Sequence, residues 1–269
     1  MLSRKSKGQF HPERWMKEGN HLLASSKIAR ATWIVRRARF KRKLERQPPP
    51  SKLSASKFAE LEALPKSSCL LLGYAVEMYL KAGITKLFVG CSEDFFDHAV
   101  RKRYGHKLRQ LAKDLHFDAS QQDLNDLKDL EAMMVTGARY PVVPGPDGSS
   151  AEQESERTRT MWNGTSYFRF RQLALRVRRH VSHIDADPQR PMSHWRVPFG
   201  GDGYVVCRSG GGLPPRVTYR RGSDRMDDGD DVLQEVKLLV VARHDFTGMW
   251  DVAVKNEDRT GLPKLSKHC

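Results

Sequence analysis

"SSCLLLGYAVEMYLKAGITKLF", residues 67–88, is the most apolar segment of the chain, and its reading decides the fold. Its apolar residues are too many for one stripe. A helix buried on more than one side is therefore expected, the centre of a bundle rather than a surface helix. Glu77 and Lys81 lie inside it as an i,i+4 pair in the favourable order. A lone carboxylate in such surroundings is costly, so Glu77 needs a cationic partner. Pro65 precedes the helix and Gly90 ends it.

Upstream, residues 13–43 form a first periodic segment. Trp15, Gly19, Leu22, Ser26, Ala29 and Trp33 recur three and four apart on one narrow face, and Pro12 suits the first helical turn. Then come "RRARFKRKLER" and "QPPPSKLSAS", where Pro48, Pro49 and Pro50 predict a linker over residues 47–57. Downstream, Leu108, Leu111, Ala112 and Leu115 make the stripe of a third helix. Leu124, Leu127, Leu130 and Met134 make that of a fourth, introduced by Ser120 and Asp123 as a capping arrangement. "GARYPVVPGPDGSS" predicts a loop. A fifth helix is expected over residues 152–184, with Phe170, Leu173, Ala174, Val177, Val181 and Ile184 on its buried face.

Beyond Asp185 the composition shifts to Gly, Pro, Arg and Asp. "GYVVCR" (203–208), "RVTYR" (216–220), "VLQEVKLLVVARH" (232–244) and "MWDVAVK" (249–255) read as strands, with "DFTG" as a hairpin connection between the last two. The expected fold is mainly α: an antiparallel four- or five-helix bundle over residues 1–186, and a small β-rich C-terminal extension over 187–269.

The formal net charge of +15 points to an acidic partner, and nucleic acid is the commonest. Residues 1–46 hold 14 Lys and Arg against three Glu, so most of the excess is N-terminal. The four cysteines are scattered without a C-x-x-C pair, which argues against a disulfide framework or zinc site and favours a reducing cytoplasm. No apolar window is long enough for a membrane span, and "MLSRKSKGQF" lacks the apolar core of a secretory signal.

Three motifs in order, "GYAVEMYLKAGI" (73–84), "GHKLRQLAKDL" (105–115) and "GARYPV" (137–142), resemble the HEPN domain across about residues 10–185. The family pattern is a helix with a Glu-x-x-x-Lys-Ala-like run, a (Gly/Ser/Thr)-His-x-Leu start to the next helix, and an Arg-Tyr-Pro stop after the one that follows. The resemblance implies a helical bundle, often dimeric. It also implies one of two roles: a metal-independent ribonuclease of toxin or antiviral-defence type, or a nucleotide-binding or assembly module without cleavage, often beside a nucleotidyltransferase or antitoxin. Residues 187–269 have no counterpart in it.

Cleaving members carry Arg, then four to six residues, then His. Arg101 and His106 match that spacing. The imidazole would transfer a proton at a ribose hydroxyl or leaving oxygen, and the guanidinium would stabilise charge on the phosphate. The competing reading makes His106 a structural residue at the start of a helix and Arg101 one of three adjacent basics. Arg36, Arg37, Arg39, Lys41, Arg42 and Lys43 form a candidate phosphate-contacting stripe, extended by Arg103 and Arg139. Arg139 is alternatively the partner of Glu77. RNA or a nucleotide-bearing ligand is the expected partner, with no cofactor and no metal. His180 and His183 with Asp185 lack the context of a metal site. "DRMDDGDDVLQE" (224–235) fails as a calcium loop because Met226 stands at a ligand position. A further reading makes the C-terminal strands a docking site for a partner protein.

Overall fold

The computed structural model describes residues 1–3, 6–46, 51–137, 150–222, 232–243 and 248–258. It is mainly helical, with one small four-stranded sheet toward the C-terminus. No helix among these residues is long and apolar enough to cross a membrane.

Helix α1 spans Pro12–Arg46 and α2 spans Ser51–Leu87. The two are antiparallel partners. Tyr79 Oη donates to Asn20 Oδ1 at 3.0 Å, Ser26 Oγ donates to the Ser68 carbonyl at 2.7 Å, and Arg36 pairs with Glu60. The expected linker over 47–57 is thus mostly helix, for α2 begins at Ser51 and carries Pro65 inside it. Pro65 is buried, and its carbonyl accepts from Ser68 Oγ at 2.8 Å.

Helix α2 is the central element expected from its composition. It packs against α1, against α4 (Leu108–Asp114), α5 (Gln121–Ala132), α6 (Ser150–Trp162) and α7 (Gly164–His183). The capping box at the start of α5 is present, Ser120 Oγ accepting from the Asp123 N–H at 3.1 Å. α5 and α7 run antiparallel, tied by Arg169 to Asp126 and Arg176 to Asp123. α2 and α7 run the same way, since Lys86 near the end of α2 donates to the carbonyls of Val181 and Ile184 at the end of α7. The helix expected over 152–184 is two helices. Asn163 separates them, capping α7 with its side chain on the Thr165 N–H.

Strands β1 (Ser193–Pro198), β2 (Tyr204–Ser209) and β3 (Arg216–Arg220) form an antiparallel meander, and β4 (Val254–Glu257) adds parallel to β3. Two of the four expected strands stand, and the others are corrected. Residues 232–241 form helix α8 (Val232–Val241), and residues 249–252 form a short helix α9 (Met249–Val252) before β4. The supposed hairpin connection at 245–247 lies outside the described residues, between helices rather than strands. β1 was not expected.

The sheet is a layer between two cores, not a loose appendage. On β2, Tyr204 and Val206 join the helical core while Val205 and Cys207 face a second core with Val217, Val232, Val236 and Val240. That alternation is the period of a strand covered on both faces. Arg208, buried in β2, donates to Asp185 Oδ1 at 2.6 Å, to the Gly210 carbonyl at 3.1 Å and to the Lys86 carbonyl at 3.2 Å, so the burial of its charge is compensated.

Candidate functional site

His106 stands in the turn that enters α4. Ser92 caps α3 (Glu93–His98), accepting from the Phe95 N–H at 3.2 Å, and the chain continues into a π-helical turn, Ala99–Tyr104. The turn closes where the Gly105 N–H reaches the Val100 carbonyl at 3.0 Å. Gly105 then takes φ +50, a left-handed conformation that glycine adopts without a steric penalty. The Tyr104 hydroxyl donates to Asp114 Oδ2 at 2.7 Å and pins the turn to α4.

This places the His106 ring against α2. Nδ1 lies 2.9 Å from Glu77 Oε2, and the ring meets Tyr74 edge-on at 6.1 Å. An ionised carboxylate only accepts, so Nδ1 carries the proton of that bond. Nε2 has no hydrogen bond among the described residues, and the side chain is 38% exposed. Glu77 is buried, and its other oxygen accepts from Lys81 Nζ at 2.5 Å. Lys81 in turn lies 5.6 Å from the Trp15 ring. Glu77 thus holds two partners, the Lys81 ammonium and the His106 ring, the latter partly in solvent. The expected i,i+4 pair is present. Arg139, the other expected partner of Glu77, lies outside the described residues, as does the "RYPV" part of its motif.

Arg101 belongs to the π-helical turn. Its Nε donates to Asp97 Oδ1 at 2.9 Å and its side chain is 70% exposed. Among the described residues no hydrogen bond or ion pair joins Arg101 to His106. Arg103 donates to Asp114 Oδ2 and to Asn256 Oδ1, both at 3.0 Å, and so braces the turn against α4 and β4.

The basic end of α1 is differentiated. Arg36 pairs with Glu60, and Arg37 stacks over Trp33 at 5.1 Å and Trp162 at 5.6 Å. Lys41 stands 4.0 Å from Glu45, and Arg42 Nε donates to the Ala38 carbonyl at 3.3 Å. Arg39 and Lys43, with no ion pair among the described residues, line a shallow hollow with Phe40, Glu60 and Leu61. Arg30, one turn back, is buried. It donates to the carbonyls of Met161 and Trp162 at 2.6 and 3.1 Å and lies on Trp33 at 4.3 Å. Burial lowers the pKa of Arg30 from its usual value.

A wider groove of about 700 Å³ opens between α4 and α5, next in sequence to His106. Lys107, Arg109, Lys113 and Phe117 line it, with Arg109 bound to Glu131. The Lys and Arg positions of α4 alternate around its apolar stripe, which is the signal that could have marked this face in the sequence. Cationic side chains beside a half-buried aromatic ring suit a single nucleic-acid strand.

No group of three or more His, Cys, Asp or Glu among the described residues could hold a metal ion. His180 Nε2 meets the Leu115 carbonyl and His183 Nδ1 the Arg179 carbonyl, at 2.9 and 2.8 Å. Residues 224–231 of the calcium-loop-like stretch lie outside the described residues. Compared with known proteins, the chain matches no family model, no curated protein and no solved structure.

Proposed function

We propose that this chain is a HEPN-like protein that binds RNA and cleaves it without a metal ion, with His106 as the proton-transfer group. One observation carries the reading: a half-exposed imidazole bonded through Nδ1 to a buried carboxylate, its Nε2 without a hydrogen bond among the described residues. A carboxylate so placed orients the ring and leaves Nε2 to take a proton from a ribose hydroxyl. The deprotonated oxygen would attack the adjacent phosphorus and the sugar oxygen on its far side would leave. Arg101 would stabilise the charge that gathers on the phosphate. Lys107, Lys113 and the exposed cations Arg39, Lys41 and Lys43 of α1 would hold the strand. The reading carries a homodimer, a toxin or antiviral-defence role beside an antitoxin or nucleotidyltransferase, and a cytoplasmic setting suited to the buried unpaired thiols of Cys69, Cys91 and Cys207.

A second reading, a nucleotide- or RNA-binding module without cleavage, is favoured by the pairing of Arg101 with Asp97 on its own helix. Incubation of RNA with the full chain in EDTA separates the two, with His106→Ala as the comparison. Cleavage lost in the variant supports the enzyme. Intact RNA with both proteins leaves the binding module.

A further inference from the structure

Two arginines stand opposite each other in the sheet. Arg208 of β2 and Arg216 of β3 are paired in register, and both lie on the face toward the helices, since Cys207 and Val217 face the second core. Like charges directly opposite are destabilising. Arg208 is compensated by Asp185 and two carbonyls. Arg216 is 4% exposed, and its Nε and Nη1 are buried without a hydrogen-bond partner among the described residues. Its guanidinium lies 5.4 Å from the Phe88 ring. Asn256 of β4, 9% exposed, shares this face, for it pairs with Thr218, two residues on from Arg216. Its Oδ1 accepts from Arg103, but its Nδ2 is buried and unpaired among the described residues. Asp114 is the carboxylate beside Arg216, and its oxygens already accept from Arg103, Tyr104 and Gln110. Burial lowers the pKa of Arg216 although Tyr104 and Asp114 oppose the shift. Around the two arginines stand Arg103 and Lys86 as further cations and Asp114 and Asp185 as carboxylates. Arg196 and Asp258, beside Cys91, add one charge of each sign, and Glu13 acts on Lys86 from the surface. Positive charge is in excess at this junction.

We propose that Arg216, Asn256 and Arg103 bind a phosphate group, presented as free phosphate or as a terminal monoester, where the sheet meets the turn Ala99–Tyr104. The donors select the ligand. Arg216 offers unpaired N–H groups on both edges of its planar fork, and Asn256 offers its amide nitrogen. A tetrahedral phosphate turns three oxygens toward such a set, where a carboxylate has two. An unpaired buried guanidinium is costly, and an anion bonded to it removes that cost. Arg103 bounds the site on the solvent side, its side chain 40% exposed and bonded to both Asp114 and Asn256. The burial of the donors excludes a phosphodiester inside a strand, which carries a sugar on both sides, and admits a terminal group. The bound anion ties β3 and β4 to the turn that carries Arg101 and leads to His106. Such binding needs no cleavage at His106, and its test reads no RNA product.

Thermal unfolding of the full chain, in phosphate-free buffer at constant ionic strength, is the test. Added inorganic phosphate should raise the midpoint saturably, and chloride should not. Arg216→Met removes the guanidinium and keeps a long side chain. It should weaken phosphate binding at least ~100-fold, as two lost charge-assisted bonds imply. Asn256→Asp keeps the size of the side chain and sets a carboxylate beside Arg216. It should raise the midpoint in the absence of phosphate and abolish the response to it, and it decides the matter should Arg216→Met fail to fold. Adenosine monophosphate is the second probe. A response stronger than that to phosphate assigns the group to a nucleotide or an RNA end, and an equal or weaker one assigns free phosphate. A wild type indifferent to both probes, or a response that both variants keep, would overturn the proposal.

Discussion

Nδ1 of His106 lies 2.9 Å from Oε2 of Glu77, across twenty-nine positions of sequence. The bond joins the turn before α4 to the middle of the most buried helix. Lys81 holds the other carboxylate oxygen at 2.5 Å, so three ionisable groups form one unit in which the central member is shielded from water.

The unit predicts an ordered set of stabilities. Glu77→Ala leaves the Lys81 ammonium buried without an anion and should cost about 3–5 kcal/mol. His106→Ala leaves the Glu77–Lys81 pair intact and should cost about 1 kcal/mol. The double variant Glu77→Leu, Lys81→Met removes both charges together and should lie far closer to wild type than Glu77→Ala does. Urea unfolding of the three reads the order. A double variant as unstable as Glu77→Ala would mean that the ion pair is not what holds this part of α2.

Part of this was legible beforehand. The apolar width of residues 67–88 called for a central helix, the Ser120–Asp123 arrangement called for a cap, and the placement of Glu77 called for a cation. The Lys81 partner was legible as an i,i+4 pair; the His106 partner was not, because it comes from a turn that only tertiary packing brings to α2. Two local signals also misled. β-branched residues made 232–241 read as a strand, yet Val232, Val236 and Val240 recur every four positions and are buried together on one helical face. Three prolines made 47–57 read as a linker, yet α2 begins immediately after them at Ser51. β1 escaped although Trp195 and Val197 alternate with His194, Arg196 and Pro198, because the alternation is short and all six residues are exposed or half-buried.

Close approach of α1 and α2 rests on Gly19. A Cβ there would stand 2.5 Å from Tyr79 Cε1, and that ring is fully buried with its hydroxyl bound to Asn20. Gly19→Ala should therefore cost about 1–3 kcal/mol from overpacking, even though alanine favours a helix interior by about 1 kcal/mol. Gly164→Ala is the control, for a Cβ there meets nothing within 4 Å. Thermal unfolding should separate the two. An unchanged midpoint for Gly19→Ala would show that the helices can move apart without loss.

Stability should fall at alkaline pH. Burial pushes the Cys69 thiol up to about 11, and the Cys91 and Cys207 thiols and the Tyr79 phenol up to about 12. Unfolded thiols lose protons from about pH 8.5 and phenols from about pH 10. Between those values and the folded ones, the unfolded chain binds fewer protons than the folded chain. The stabilisation is therefore complete below about pH 8.5 and declines as pH rises toward 12. Urea midpoints taken from pH 7 to 11 should drop, and Cys91→Ala should flatten the slope whatever it does at neutral pH. A midpoint constant across the range would contradict the burial of these groups.

The basic end of α1 offers a quantitative test of the strand-holding role. Arg36 and Arg37 are engaged by Glu60 and by the Trp33 and Trp162 rings, so they contribute to packing whatever else they do. Arg42, also exposed, has its Nε on the Ala38 carbonyl; Arg39, Lys41 and Lys43 are exposed with only a 4.0 Å contact from Lys41 to Glu45 among the described residues. Each cation that neutralises a phosphate of a single strand releases about 0.7 of a counterion. Replacing these three by Gln should therefore lower the salt slope of RNA affinity by about 2, without changing preference between sequences, because a phosphate contact carries no sequence information. Their exposure means that the melting temperature should not move. Binding isotherms at several salt concentrations supply the slope. If it is unchanged in the triple variant, the strand lies elsewhere, and the α4–α5 groove with Lys107 and Lys113 becomes the face to alter next.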